Sequence, residues 1–171
     1  MPYPQRLLAT YIAAFYTFCS ALPSLADGTD SISANIRMQI NPNEITNLED
    51  SSELIFDYLF ALNEEQKTPK EVVESLLALC NMGQPNNQPR YGPVFMPHWF
   101  IALKNFEVKD EDTLKLLDRA TSTFPSQSPI DISAAGAEQF WILANQVADT
   151  PTTSPELRAI QTQIVWRLAK S

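Results

Sequence analysis

Glycine is scarce in this chain: four in 171 residues, at positions 28, 83, 92 and 136. A loop that cradles phosphate on successive backbone N–H groups needs glycines a few residues apart, so that class of nucleotide site is excluded. Histidine is scarcer, with His98 alone, and the cysteines are only Cys19 and Cys80. A zinc site built from nitrogen and sulfur is short of ligands. No acidic loop has calcium-binding spacing either, and no cofactor or metal is expected. Positive charge is also in deficit, 12 Lys+Arg against 20 Asp+Glu, for a net charge of −8. That sign repels phosphate backbones and anionic lipid, so no nucleic acid and no membrane-surface partner is expected, whereas a cationic partner would be steered in.

The N-terminus is different in kind. Arg6 precedes an apolar run from Leu7 to about Leu22, Pro23 breaks it, and Ser24-Leu25-Ala26 ends on small residues. Positive start, apolar middle and small-x-small end describe a secretory signal peptide over residues 1–26. An uncleaved membrane anchor is the competing reading. Cleavage after Ala26 removes one base and no acid, which takes the net charge to −9. It also removes Cys19, so Cys80 would be the only thiol of an exported protein. Sitting in Leu76-Leu77-Ala78-Leu79-Cys80, it reads as a small core residue, and stability has to come from packing rather than from disulfides.

Residues 27–49 form an extended N-terminal segment in this reading. Ile32, Ala34, Ile36, Met38 and Ile40 alternate with polar residues, the period of a half-buried strand. With no comparable strand later, it would lie across helices, pair with a short strand, or pair with another chain. Asn41-Pro42-Asn43 closes it.

Residues 50–171 read as one helical domain. Asp50 and Glu53 make a capping box for a first helix whose stripe is Leu54, Ile55, Tyr58, Leu59 and Leu62; Thr68-Pro69-Lys70-Glu71 starts a second. The stretch 84–96, with Pro85, Pro89, Gly92 and Pro93, reads as a loop that no helix crosses. A third helix is then expected from Pro97 to about Phe106 and a fourth from the Asp110 cap to about Thr123. A fifth covers about Ala134 to Ala148 with Trp141 among its apolar residues, and a sixth starts at Ser154-Pro155-Glu156. Short links within pairs and long ones between them suggest three antiparallel hairpins, as an irregular bundle or a short solenoid-like stack. The fold class is all-α, preceded by the strand-like segment.

Two features invite a functional reading. The loop ending Arg90-Tyr91-Gly92-Pro93-Val94-Phe95-Met96-Pro97-His98-Trp99 concentrates the residue types that interfaces favour. Beside it, Glu107, Asp110, Glu111 and Asp112 either complement a helix dipole or form a patch for basic groups. The candidate partner-binding set is therefore Arg90, Tyr91, Phe95, Met96, His98, Trp99, Glu107, Asp110, Glu111 and Asp112, and alanine at Tyr91 or Trp99 should weaken capture without unfolding. The expectation is an exported, periplasmic or extracellular, helical protein-binding module without catalytic residues, of an acidic inhibitor, immunity or adaptor type, with a protein partner that is cationic in the sharpest version. The alternatives are a small exported enzyme using carboxylate or His98 chemistry and a membrane-tethered helical scaffold.

Overall fold

The computed structural model describes residues 32–40, 48–82, 92–124 and 134–170; within them lie seven helices and no strand. These are α1 (Ile32–Gln39), α2 (Leu48–Glu64), α3 (Pro69–Cys80), α4 (Gly92–Leu103), α5 (Glu111–Thr121), α6 (Ala134–Asp149) and α7 (Pro155–Lys170). The signal-peptide reading of residues 1–26 lies outside the described residues.

The strand expected over residues 32–40 is a helix. Its alternation conceals a second period: Ile36 and Ile40 are also four apart and lie on the core side, while Ile32, one turn earlier, is half exposed. Ser33 and Ile40 are buried, Ile36 packs against the core, and Met38 is left exposed. No strand among the described residues offers a ladder, so the backbone satisfies itself internally. Glu65 anchors the start of α1. Its Oε1 accepts from the Ser33 N–H at 2.9 Å and its Oε2 from the Ser33 hydroxyl at 2.8 Å, which places a carboxylate on the orphan donors of a helix N-terminus.

Glu65 is held there by the way α2 ends. Gln66 has φ 55°, its N–H donates to Asn63 O at 2.9 Å, and the Lys67 N–H reaches Leu62 O at 3.0 Å. This is a Schellman turn with glutamine where glycine is usual. Left-handed backbone costs a β-carbon about 1 kcal/mol. Gln66→Gly should therefore stabilise the fold by roughly 0.5–1 kcal/mol, read as a raised urea midpoint at unchanged slope; no rise would mean that the glutamine side chain compensates.

The Thr68 capping box forms as the sequence suggests: the Thr68 N–H donates to Glu71 at 2.7 Å, and Thr68 Oγ1 accepts from the Glu71 N–H at 3.3 Å. At the first helix the start differs, since α2 begins at Leu48 and takes Asp50 and Glu53 inside it rather than at its cap. Its expected stripe is real, with Ile55, Tyr58, Leu59 and Leu62 buried.

Residues 92–96 correct the expected loop. The third helix starts at Gly92, not Pro97, and Pro97 lies inside it. The missing Pro97 N–H would have bonded the Pro93 carbonyl, one residue into the helix, so a single bond near the end is forfeited. In return Phe95, Met96, Trp99, Ala102 and Leu103 come onto the buried side.

Helix packing departs from three sequential hairpins. α6 packs on α7, but the other substantial contacts join α5 to α7, α1 to α2, α3 to α4, α3 to α5, α2 to α4 and α4 to α6. The short links after α2 and α4 therefore redirect the chain instead of folding it back. α4 is the hub: it meets α2, α3 and α6, and an aromatic series passes from it to α6. Trp99 lies 6.2 Å from Phe124, Phe124 stacks on Phe140 at 5.5 Å, and Phe100 meets Phe140 at 4.8 Å. On the far side Arg167 of α7 donates to the Asp118 carboxylate at 2.7 Å and to the Asp118 carbonyl at 3.1 Å, closing the C-terminal end of α5.

Candidate functional site

The aromatic half of the expected binding set is interior. Phe95, Met96, His98 and Trp99 are all buried, with no exposure at all for His98 and Trp99. These four side chains are core, which corrects their placement on a partner surface; Arg90 and Tyr91 lie outside the described residues. The physical reason is the helix start at Gly92: once 92–96 is helical, Phe95 and Met96 share the inner face of α4 with Trp99, Ala102 and Leu103.

His98 is the one histidine, and its surroundings decide its chemistry. Phe56 of α2 meets the ring edge-on at 5.0 Å and Phe95 at 6.4 Å. Neither Nδ1 nor Nε2 has a hydrogen-bond partner. Burial without a counter-charge disfavours the imidazolium, and the pKa falls to about 4. The neutral ring packs between phenyl groups as a core side chain. Cys80 is likewise sealed in the core, where desolvation pushes its thiol pKa far up and keeps it protonated.

The acidic half is on the surface, and three of its four charges have local partners. Asp110 caps α5: its Oδ1 accepts from the Thr113 N–H at 2.8 Å while Thr113 Oγ1 accepts from the Asp110 N–H at 3.0 Å. The bonds that the Asp110 carboxylate accepts from the Thr113 N–H and from the Thr113 hydroxyl hold its pKa below the usual range. Glu107 pairs with Lys109 at 2.6 Å and Glu111 with Lys115 at 2.5 Å, raising both lysine pKa values. Asp112 completes the acidic first turn, where negative charge suits the helix dipole. The four acids therefore stay exposed at the start of α5 but present a partly neutralised field. Among the described residues no three His, Cys, Asp or Glu side chains group to hold a metal ion, and no helix is long and apolar enough to cross a membrane.

The most exposed aromatic side chains among the described residues lie outside the expected set. Trp141 is 64% exposed, Ile142 50% and Trp166 60%, all on the α6–α7 hairpin. The signal was present in spacing. Phe140, Leu143, Ala144 and Val147 already complete the inner stripe of α6, so Trp141 and Ile142 have to point elsewhere. On α7 the buried Leu157, Ile164 and Leu168 leave Trp166 on the opposite side. Fourfold apolar runs such as Phe140-Trp141-Ile142-Leu143 cannot fit one helical face. The hairpin itself is tightly closed: the Leu157 N–H donates to Ser154 Oγ at 3.1 Å, and Gln161 Nε2 donates to the carbonyls of Val147 at 2.5 Å and Thr150 at 2.7 Å. Rigid helices thus display the two indoles. Compared with protein-family models, curated proteins and solved structures, the chain matches none.

Proposed function

We propose that this chain is an exported helical protein-binding module and that its recognition surface is the outer face of the α6–α7 hairpin. One observation carries the reading: two tryptophans and an isoleucine stand in solvent on a closed helical hairpin, although burying them inward would have strengthened the core. Exposed tryptophan is the residue type most enriched where protein interfaces concentrate their energy, and apolar patches of this kind mark interaction sites. Export rests on Arg6, the Leu7–Leu22 run and Ser24-Leu25-Ala26. The exposed acids Glu107, Asp110, Glu111 and Asp112 supply at most a steering field in this reading, because lysines and the helix cap already engage three of them.

The test is affinity capture of tagged protein from its native source, with the intact mass of the recovered chain. Wild type should return a stoichiometric protein partner and a mass lacking residues 1–26. A Trp141→Ala/Trp166→Ala double variant, folded as wild type by circular dichroism, should lose at least tenfold in capture. Equal capture by the variant would remove the hairpin as the binding surface, and a mass retaining residues 1–26 would refute cleavage.

A further inference from the structure

The outer face of the hairpin carries a charge order as well as an apolar centre. On α6 the exposed residues Glu138, Trp141, Ile142, Asn145 and Asp149 follow one another along the helix, with acid at each end and no base. On α7 the exposed row is Arg158, Thr162, Trp166 and Lys170, with base at each end; Lys170 Nζ sits 4.9 Å over the Trp166 ring.

Register makes these two rows match. Gln161 Nε2 bonds both Val147 O and Thr150 O, which places Gln161 beside the last turn of α6 near the closed end. Trp141 lies six residues before Val147 and Trp166 five residues after Gln161, so the indoles stand at corresponding levels, within about one helical turn. Glu138 and Lys170 are each nine residues away in the same sense and correspond too. Asp149 lies two residues after Val147 and Arg158 three before Gln161, a third corresponding pair.

A twofold axis running along the helices on this outer face lays α6 of one hairpin against α7 of another, antiparallel and with levels preserved. Each Trp141 then meets a Trp166, each Glu138 a Lys170 and each Asp149 an Arg158. We infer that the hairpin face is a self-complementary dimer interface whose occupant is a second copy of this chain. The inference rests on the preceding reading of the face as a binding surface and names the partner. A purely cationic partner suits α6 and is repelled by α7, and a purely acidic one reverses this. The face fits a surface carrying both signs in the opposite order, which the hairpin presents to itself, as a twofold contact requires. The three exposed apolar residues offer roughly 400 Å², about half of the ~800 Å² that each partner contributes to a specific interface.

Sedimentation velocity of the purified protein up to about 100 µM tests this, since dimers of this size hold in the micromolar range or tighter. Wild type should sediment as a dimer, with Trp166→Ala weakening association by about 30-fold or more. Asp149→Arg and Arg158→Asp should each weaken it about tenfold, and the double variant, which restores the opposite-sign pair, should recover most of the loss. A dimer indifferent to Trp166→Ala overturns the placement. A monomeric wild type that still captures a different protein through Trp141 and Trp166 overturns the second-copy inference and leaves the binding surface standing. A monomer with no such capture removes both.

Discussion

Replacing His98 by leucine should stabilise the protein at pH 7 by about 1 kcal/mol, and the advantage should widen by about 3 kcal/mol as the pH falls to 4. The first part follows from two ring nitrogens buried without partners: a leucine of similar size removes that desolvation penalty and keeps the contact with Phe56. The second follows from linkage. In the unfolded chain the imidazole titrates near 6.5, and in the folded one burial lowers its pKa to about 4. Between those values the unfolded state binds the extra proton, so the folded state loses stability as pH decreases through that window. The loss is complete below about 4 and absent above about 6.5. Carboxylates that titrate in the same range do so in both proteins, so the difference between variant and wild type isolates the histidine. Urea midpoints for the pair at pH 7, 6, 5 and 4 measure it; parallel curves would show that the ring is hydrated or bonded in solution.

The helical class of the described residues was legible in the sequence, and so were several local devices. The Thr68 and Asp110 caps, the α2 stripe and the Ser154-Pro155 start of α7 could all be read, because each depends on residues within four positions of one another. What escaped depends on distant residues or on competing local signals. Ile32 to Ile40 satisfies a period of two and a period of four at once, and no local rule decides between them; contact with Glu65, 32 residues away from Ser33, does. Pro97 signals a helix start by every local rule, yet the burial of Phe95 and Met96 outweighs one lost backbone bond. Hairpin order was inferred from link length, which bounds how far the chain travels but leaves its direction free.

At the candidate site the failure had one cause: interface composition and core composition are the same list of residues. Phe95, Met96 and Trp99 fit either environment, and their position on a helical wheel that begins at Gly92 separates the two. The same wheel places Trp141 and Trp166 outside. Residue types therefore suggested an exposed aromatic surface around the start of α4, whereas helix phase buries those side chains and leaves the exposed indoles on the C-terminal hairpin.

The three tryptophans turn that contrast into an expected result. Trp99→Ala should destabilise the fold by about 3–5 kcal/mol, the loss typical of emptying a buried aromatic site, against a total that for domains of this size is roughly 5–15 kcal/mol. Trp99 contacts Phe124, which stacks on Phe140, so the cavity would open where α4, the end of α5 and α6 meet. Trp99→Phe should cost much less. It keeps an aromatic ring at the site and removes the indole N–H, which is buried without an acceptor. Trp166→Ala should stay within about 0.5 kcal/mol of wild type, because its ring lies mostly in solvent. Chemical denaturation of the three variants, with near-ultraviolet circular dichroism to report loss of aromatic packing, reads all of this in one experiment. The order Trp99→Ala far below Trp99→Phe, with Trp166→Ala level with wild type, separates core from display. A Trp99→Ala protein as stable as wild type would put that side chain back on the surface and return it to the candidate binding set.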